Sequence, residues 1–438
     1  MKYVFSVFAL IFAVFLYTSS SFNKTAIAFD GKTYEDAFEQ LDLFADVLAR
    51  VNNDYVVDIN NSKLIGEAIN GMLQSLDPHS SYIDPKEYKN LQISTSGEYS
   101  GLGMEVTSDE GFVKVISPID GTPAKKAGIK SGDYIIEIND ESIIGLPLSE
   151  AVDLMRGKPG QSVKITIARN NDEKIELNLK REIIKRQIVS YSIKEGLAYV
   201  RISQFNENAY RELSVAISSL KKEMSSEIPG LILDLRGNPG GLLDQSIKVS
   251  SAFLDGGEVV STKGRKESDN RNYNADIGEL LKGVPLVVLI DEGSASASEI
   301  VAGAIQDRKR GLIVGMKSFG KGSVQTIVPL KGGKDGAIKL TTQRYYTPSG
   351  ESIQGRGITP NILIDYLPEG SKKANARKEA DLPNTLPIET EKTQKETDSI
   401  IPVDYPPNGF KIESDYQLKR SMEILKSDTY LNKLNSSS

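Results

Sequence analysis

The sequence predicts an α/β protein built on a largely parallel sheet, with a β-rich domain ahead of it and a helical region at the start. Three observations point there. Between residues 184 and 365, continuous apolar runs such as "GLILDLR" and "VPLVVLI" alternate with stretches of helical spacing. Strands buried on both faces read as such unbroken runs. Between 95 and 183, short β-rich runs are separated by turn signals, and from 33 to 94 apolar residues recur at helical intervals.

The chain opens "MKYVFSVFALIFAVFLYTSSSFNKTAIAFD", with Lys2 ahead of an apolar run from Tyr3 to Tyr17 and an A-x-A site at Ala26 to Ala28. That arrangement reads as a secretory signal over residues 1–28, short for a membrane span. The body is therefore expected outside the cytoplasm, in the periplasm or on the outer face of the cytoplasmic membrane. Whether the signal is cleaved or kept as an anchor stays open.

Residues 29–94 form the helical region: Phe38, Leu41, Phe44, Leu48 and Val51 share one spacing, and Leu64, Ala68, Met72 and Leu76 another. This is a packing layer for the next domain, or an arm for dimerisation or tethering; the spacing favours the packing layer.

Residues 95–183 carry "FVKVISPI", "DYIIEIND" and "SVKITIAR", with one helical stretch, "LSEAVDLMRG". The segments "SGEYSGLGMEV", "GTPAKKAGIKSGDYIIEINDESI" and "GKPGQSVKITIARN" resemble a PDZ domain. The resemblance implies that Gly101, Leu102, Gly103 and Met104 form the loop whose backbone N–H groups hold a peptide's terminal carboxylate. The peptide then adds to the sheet edge.

Residues 184–365 hold the chemistry. At "LIDEGSASASEIVAGAIQDRK" an apolar strand gives way to a helix, and Ser294, Ser296 and Ser298 alternate with alanines. A serine at a helix start lies beside unpaired N–H groups able to hold an oxyanion. Serine is also a good N-cap and small residues favour close packing, so the run alone does not make a nucleophile. A nucleophile needs a base. The chain has one histidine, His79, in the turn-like "LDPHSSYIDP", and no cysteine. A lysine with a lowered pKa is the other candidate, at a cost of roughly 4 kcal/mol to bring it near 7. Lys321 stands in the small-residue, apolar setting of "SFGKGSVQTIV", with Gln325 four positions on. Lys317 has more polar neighbours. Gly315 to Lys321 also reads G-x-x-x-x-G-K, but Gly322 stands where a phosphate-binding loop needs Ser or Thr for its metal.

"GSASASEIVAGAIQD", then "SFGKGSVQ", with "DLRGNPGG" between them and a PDZ-like domain upstream, resembles the carboxy-terminal processing peptidases, or tail-specific proteases. The resemblance covers about residues 35 to 365 and the short "DYQLKRSMEIL". It implies a crotonase/ClpP-like core of ββα units with an inserted PDZ domain. It also implies a Ser–Lys dyad in which the middle serine is the nucleophile and the lysine 25 positions on is the base, here Ser296 and Lys321. Gln325 matches the family's third residue. The oxyanion donors fall on the N–H of Ala297 and on Gly240 or Gly241 of the Asn-Pro-Gly-Gly turn; spacing does not choose between the glycines.

Residues 366–438 read as a charged linker and a C-terminal helix on which Leu418, Met422 and Leu425 share a face. The net charge of −6 is modest and does not point to nucleic acid. The expected partners are proteins with free, apolar C-termini, and no metal or cofactor is called for. Homo-oligomer formation stays open. Two other classes fit parts of the chain: an inactive PDZ scaffold, which intact Ser296, Lys321 and Gln325 argue against, and an acyl-CoA enzyme on the same core, which the signal and PDZ segments argue against.

Overall fold

The computed structural model describes residues 31–169, 173–225, 227–371, 377–389, 402–407, 409–411 and 414–436. The signal segment lies outside the described residues, as does much of the charged stretch. Two compact units divide the chain, one ending at Ala68 and one starting at Ile69.

In the first unit a helix spans Gly31–Asp54, and a second helix, Asn61–Gln74, crosses the division. Helices form where the apolar spacing predicts them. Phe38, Leu41 and Phe44 are exposed, and Leu48 and Val51 of the same face are partly covered.

The second unit contains the β-rich domain and the α/β core. In the β-rich domain the strands run Met104–Asp109, Phe112–Pro118, Tyr134–Ile138, Ser162–Arg169 and Glu173–Lys180 across one antiparallel sheet. Met104–Asp109 is an outer strand of that sheet. Val113, Val115, Ile135, Ile138, Val163, Ile165 and Ile167 alternate inward and make its core with Ala151 and Met155 of the helix Leu148–Met155. Glu98–Gly101 pairs with Glu182–Lys185, joining the two ends of the domain.

The α/β core is a six-stranded sheet in spatial order Val189–Lys194, Leu197–Ile202, Leu231–Asp234, Leu286–Ile290, Leu312–Gly315 and Ile362–Leu363. The first pair is antiparallel and the rest are parallel. Every residue of Leu231–Asp234, Leu286–Ile290 and Leu312–Gly315 is buried. The unbroken apolar runs reflect this: helices Ala209–Glu223, Leu243–Ser251 and Ala297–Asp307 share one large apolar cluster with the sheet, and Leu418, Met422 and Ile424 of the helix Tyr416–Leu425 belong to another. A second sheet joins Ser81–Ile83 and Glu258–Gly264 to Ala337–Tyr346, which also pairs with Ser323–Pro329.

The stretch that composition reads as a linker contains ordered contacts. Asp365 N–H donates to the Asp404 carbonyl and Asp404 N–H to that of Leu363. Glu379 is 1% exposed. Composition misses this because the partners of these residues are distant in sequence.

Candidate active site

The site forms at the carboxyl ends of the parallel strands, where such sheets bind ligands. The strand Leu286–Ile290 ends, the chain turns through residues 291–296, and the helix Ala297–Asp307 begins. The three serines have different surroundings. Ser294 Oγ donates to the Leu235 carbonyl at 2.8 Å and Ser298 Oγ to the Asn238 carbonyl at 2.9 Å. Both are wholly buried and staple the helix start to the Leu235–Asn238 turn. Ser296, between them, has φ 56° and ψ −112°. An ordinary N-cap is extended, and such strain in a non-glycine residue persists only where its surroundings enforce it.

Glu299 enforces it. At the third helical position its Oε2 accepts from the Ser296 N–H at 2.7 Å, one half of a capping box. The same oxygen accepts from the Lys321 N–H at 3.0 Å. Its Oε1 accepts from Ser318 Oγ at 2.6 Å and the Gly320 N–H at 2.7 Å. One carboxylate thus ties the backbones of Ser296 and Lys321 to a single oxygen. Burial pushes its pKa up to about 7, and the four donors favour the charged form against that cost.

Lys321 follows Gly320 in the segment between Leu312–Gly315 and Ser323–Pro329. Burial first, then the positive charge of Lys339, lowers its pKa to about 8; the carboxylates of Glu379, Glu299 and Asp77 oppose that shift. An amine so placed can act as a base near neutral pH. Tyr345 is buried here too; its side chain meets that of Ser296, and its N–H donates to the Gly322 carbonyl at 2.7 Å.

The Asn-Pro-Gly-Gly turn faces the serine. A Cβ on Gly240, at φ +98°, would lie 2.9 Å from both Ala297 N and Ser296 Cβ. Only glycine allows this approach. The Gly240 N–H donates to its own turn, to Asn238 Oδ1 at 2.9 Å. The N–H groups of Gly241 and Ala297 have no hydrogen-bond partner among the described residues. The two glycines thus differ in this turn: the Gly240 N–H is bonded and the Gly241 N–H is open.

Gln325 is on the strand after Lys321 but donates its amide to Ser323 Oγ at 2.9 Å and Thr341 Oγ1 at 3.1 Å. Among the described residues no hydrogen bond links it to the Lys321 amine, or that amine to Ser296 Oγ. His79 is elsewhere in the network, its Nε2 2.8 Å from Glu379.

Sequence reasoning missed Glu299, Tyr345 and the pair Asp234 and Arg236. Arg236 donates to Asp234 at 2.7 Å and to both oxygens of Asp415 at 2.8 Å, tying the strand end before the glycine turn to the helix Tyr416–Leu425. The signal for Glu299 was available: Ser296-Ala-Ser-Glu299 is S-x-x-E, a pattern usually read as a cap alone.

In the β-rich domain, Tyr99, Gly101, Leu102, Gly103, Met104 and Arg156 are among the residues lining a groove of about 140 Å³ with Val152 and Met155 of the adjacent helix. The carbonyls of Leu102 and Gly103 are occupied by Ala124, Ile119 and Thr122. Their N–H groups have no partner among the described residues. The outer strand Met104–Asp109 continues from this loop.

A strained serine at a helix start, an open N–H next to it on Ala297 and another on Gly241 of the facing turn, and a part-buried lysine whose N–H bonds the same carboxylate suit attack on an acyl carbon. The class is an acyl-transfer hydrolase with a peptide-binding domain. Residues 196–364 match the model of peptidase family S41, residues 100–180 that of the PDZ domain, and residues 7–87 that of the activating protease CtpB N-terminal domain. The chain is 48% identical to a carboxy-terminal-processing protease of Bartonella bacilliformis over 83% of this chain and 84% of that one. It is 38% identical to the carboxy-terminal processing protease CtpA of Bacillus subtilis, over 74% and 68%. Among solved structures, a photosystem II D1 C-terminal processing protease matches with a TM-score of 0.43 and 31% identity, over 73% of this chain and 86% of that one. The chain belongs to peptidase family S41 and is a serine peptidase.

Proposed function

We propose that this chain is an exported serine endopeptidase that cleaves proteins near their C-termini, with Ser296 as nucleophile and Lys321 as general base. The observation that carries the dyad is the shared Glu299 oxygen, which holds the Ser296 and Lys321 backbones within one hydrogen bond of the same atom. Neutral Lys321 takes the proton as Ser296 Oγ attacks the scissile carbonyl. The tetrahedral oxyanion sits between the Ala297 and Gly241 N–H groups. Lys321 then gives the proton to the leaving amine. Water, deprotonated by the same lysine, releases the acyl group. Gln325 Oε1 is the acceptor that orients the lysine amine once substrate is bound. The parallel sheet and its helices are read as a crotonase/ClpP-like core. The apolar run at residues 3–17 supports export, with the protein in the periplasm or on the membrane's outer face.

The PDZ domain takes the substrate's free C-terminus. The open N–H groups of Leu102 and Gly103 donate to its carboxylate, the tail pairs with the outer strand Met104–Asp109, and its last side chain enters the groove beside Val152 and Met155. The test compares one model protein with an apolar tail, the same tail amidated, and a tail ending in Asp-Asp. The free apolar tail is cleaved fastest, because amidation removes the charge and acidic residues place charge in an apolar groove. Equal rates on all three would refute tail reading by this loop.

A further inference from the structure

The base loop is held from outside the peptidase family's matched region. A chain of hydrogen bonds leaves the loop one residue after Lys321 and returns four residues after it. The Gly322 N–H donates to Gln354 Oε1 at 3.0 Å, and Gln354 Nε2 to Glu379 at 2.9 Å. Glu379 meets His79 Nε2 at 2.8 Å. The His79 N–H donates to Asp77 at 2.9 Å, and Thr341 Oγ1 donates to the same Asp77 oxygen at 3.0 Å. Gln325 Nε2 closes the circuit on Thr341 Oγ1 at 3.1 Å.

Glu379 is its hub. Thr385 Oγ1 donates to the carboxylate at 3.2 Å, and the Glu379 N–H donates to the Phe319 carbonyl at 3.1 Å, two residues before Lys321. Both flanks of the base loop are thus anchored on one residue of the segment 377–389. That segment is itself fastened further along, where Arg344 donates to the Pro387 carbonyl at 2.9 Å. A carboxylate 1% exposed would be costly without such partners.

We propose that the segment 377–389 is a strap completing the catalytic site, with Glu379 and its partner His79 acting as positioning residues for Lys321. It gives a role to the chain's one histidine and to an acidic residue in a stretch whose composition suggests a linker. Neither residue touches the reacting atoms; they act by fixing the loop and its field. The charged groups facing Lys321 are Lys339, Glu379, Glu299 and Asp77, and Glu379 itself faces His79.

The inference rests on Lys321 being the base, so the experiment runs Lys321→Ala beside Glu379→Ala and Glu379→Gln in the full chain. It records kcat and KM on a tailed substrate across pH, with thermal melts. Lys321→Ala is inactive. Glu379→Ala keeps the backbone bond to Phe319 but loses the carboxylate's bonds to Gln354, His79 and Thr385, and it loses about tenfold or more in kcat with KM little changed, the scale on which misplaced catalytic groups cost rate. In Glu379→Gln the amide oxygen still accepts from Gln354 and Thr385, so the plateau rate is largely kept. Its lost charge makes the Lys321 ammonium less stable, so the acid limb of kcat/KM moves to lower pH. If Glu379→Ala does not fold, this limb decides. Wild-type plateau and limb in Glu379→Gln, or wild-type kcat in folded Glu379→Ala, would overturn the strap alone. An active Lys321→Ala would overturn both the strap and the base.

Discussion

Glu299 is the residue whose loss should do most damage without touching substrate. Its carboxylate takes four donors: the N–H groups of Ser296, Gly320 and Lys321, and Ser318 Oγ. Glu299→Ala leaves them facing a void. An unsatisfied buried donor costs about 1–3 kcal/mol, and entering water can satisfy some of the four, so the loss is about 3–6 kcal/mol of stability. Activity falls by about 100-fold or more, because the proposed nucleophile and base lose their common anchor. Glu299→Gln separates shape from charge. Its oxygen can stay on the side of Ser296 and Lys321, with the NH2 turned toward Ser318 and Gly320. The Ser318 hydroxyl can rotate to accept from it; the Gly320 N–H cannot. One donor is lost, costing about 1–3 kcal/mol, and cleavage remains measurable. Urea melts give the stabilities, and peptide cleavage per folded molecule gives the rates. Folded Glu299→Ala cleaving at the wild-type rate would refute the anchoring argument.

Two further outcomes follow from the same geometry. As the proposed base, Lys321 acts when neutral, so kcat/KM rises with pH through about 8; Glu299 holds its donors best when charged, so the limb steepens below about 7. Lys339→Met removes a like charge and moves the upper break to higher pH, whereas a single break unmoved by that change would refute the assignment. Gly241→Ala places a Cβ 2.1 Å from the Phe205 carbonyl oxygen and shifts the open N–H; turnover falls by about 100-fold, the scale of one oxyanion donor, and normal turnover would make the turn merely structural.

Much of this was legible in the sequence because it rests on local order. Unbroken apolar runs between helical stretches pointed to the parallel sheet, whereas the choice of Ser296 among three serines came from the family resemblance and its 25-residue offset to Lys321. Why Ser294 and Ser298 differ from it was not legible. Their hydroxyls are fixed by carbonyls 59 and 60 positions away. Glu379 was hidden for the same reason: its partner His79 is 300 positions distant, and local composition says nothing of a buried carboxylate's hydrogen-bond partners. Arg236 reads as one more charged residue after a strand until Asp415 is seen beside it.

The most direct test of the central claim is fluorophosphonate labelling at pH 8.5, with the modified peptide identified by mass spectrometry in wild type, Ser296→Ala and Lys321→Ala. A Ser296–Lys321 dyad gives a single label on Ser296 in the wild type, none in Ser296→Ala, and labelling slowed by about 100-fold or more in Lys321→Ala. A label on Ser294 or Ser298, or undiminished labelling of Ser296 without the lysine, would contradict the dyad.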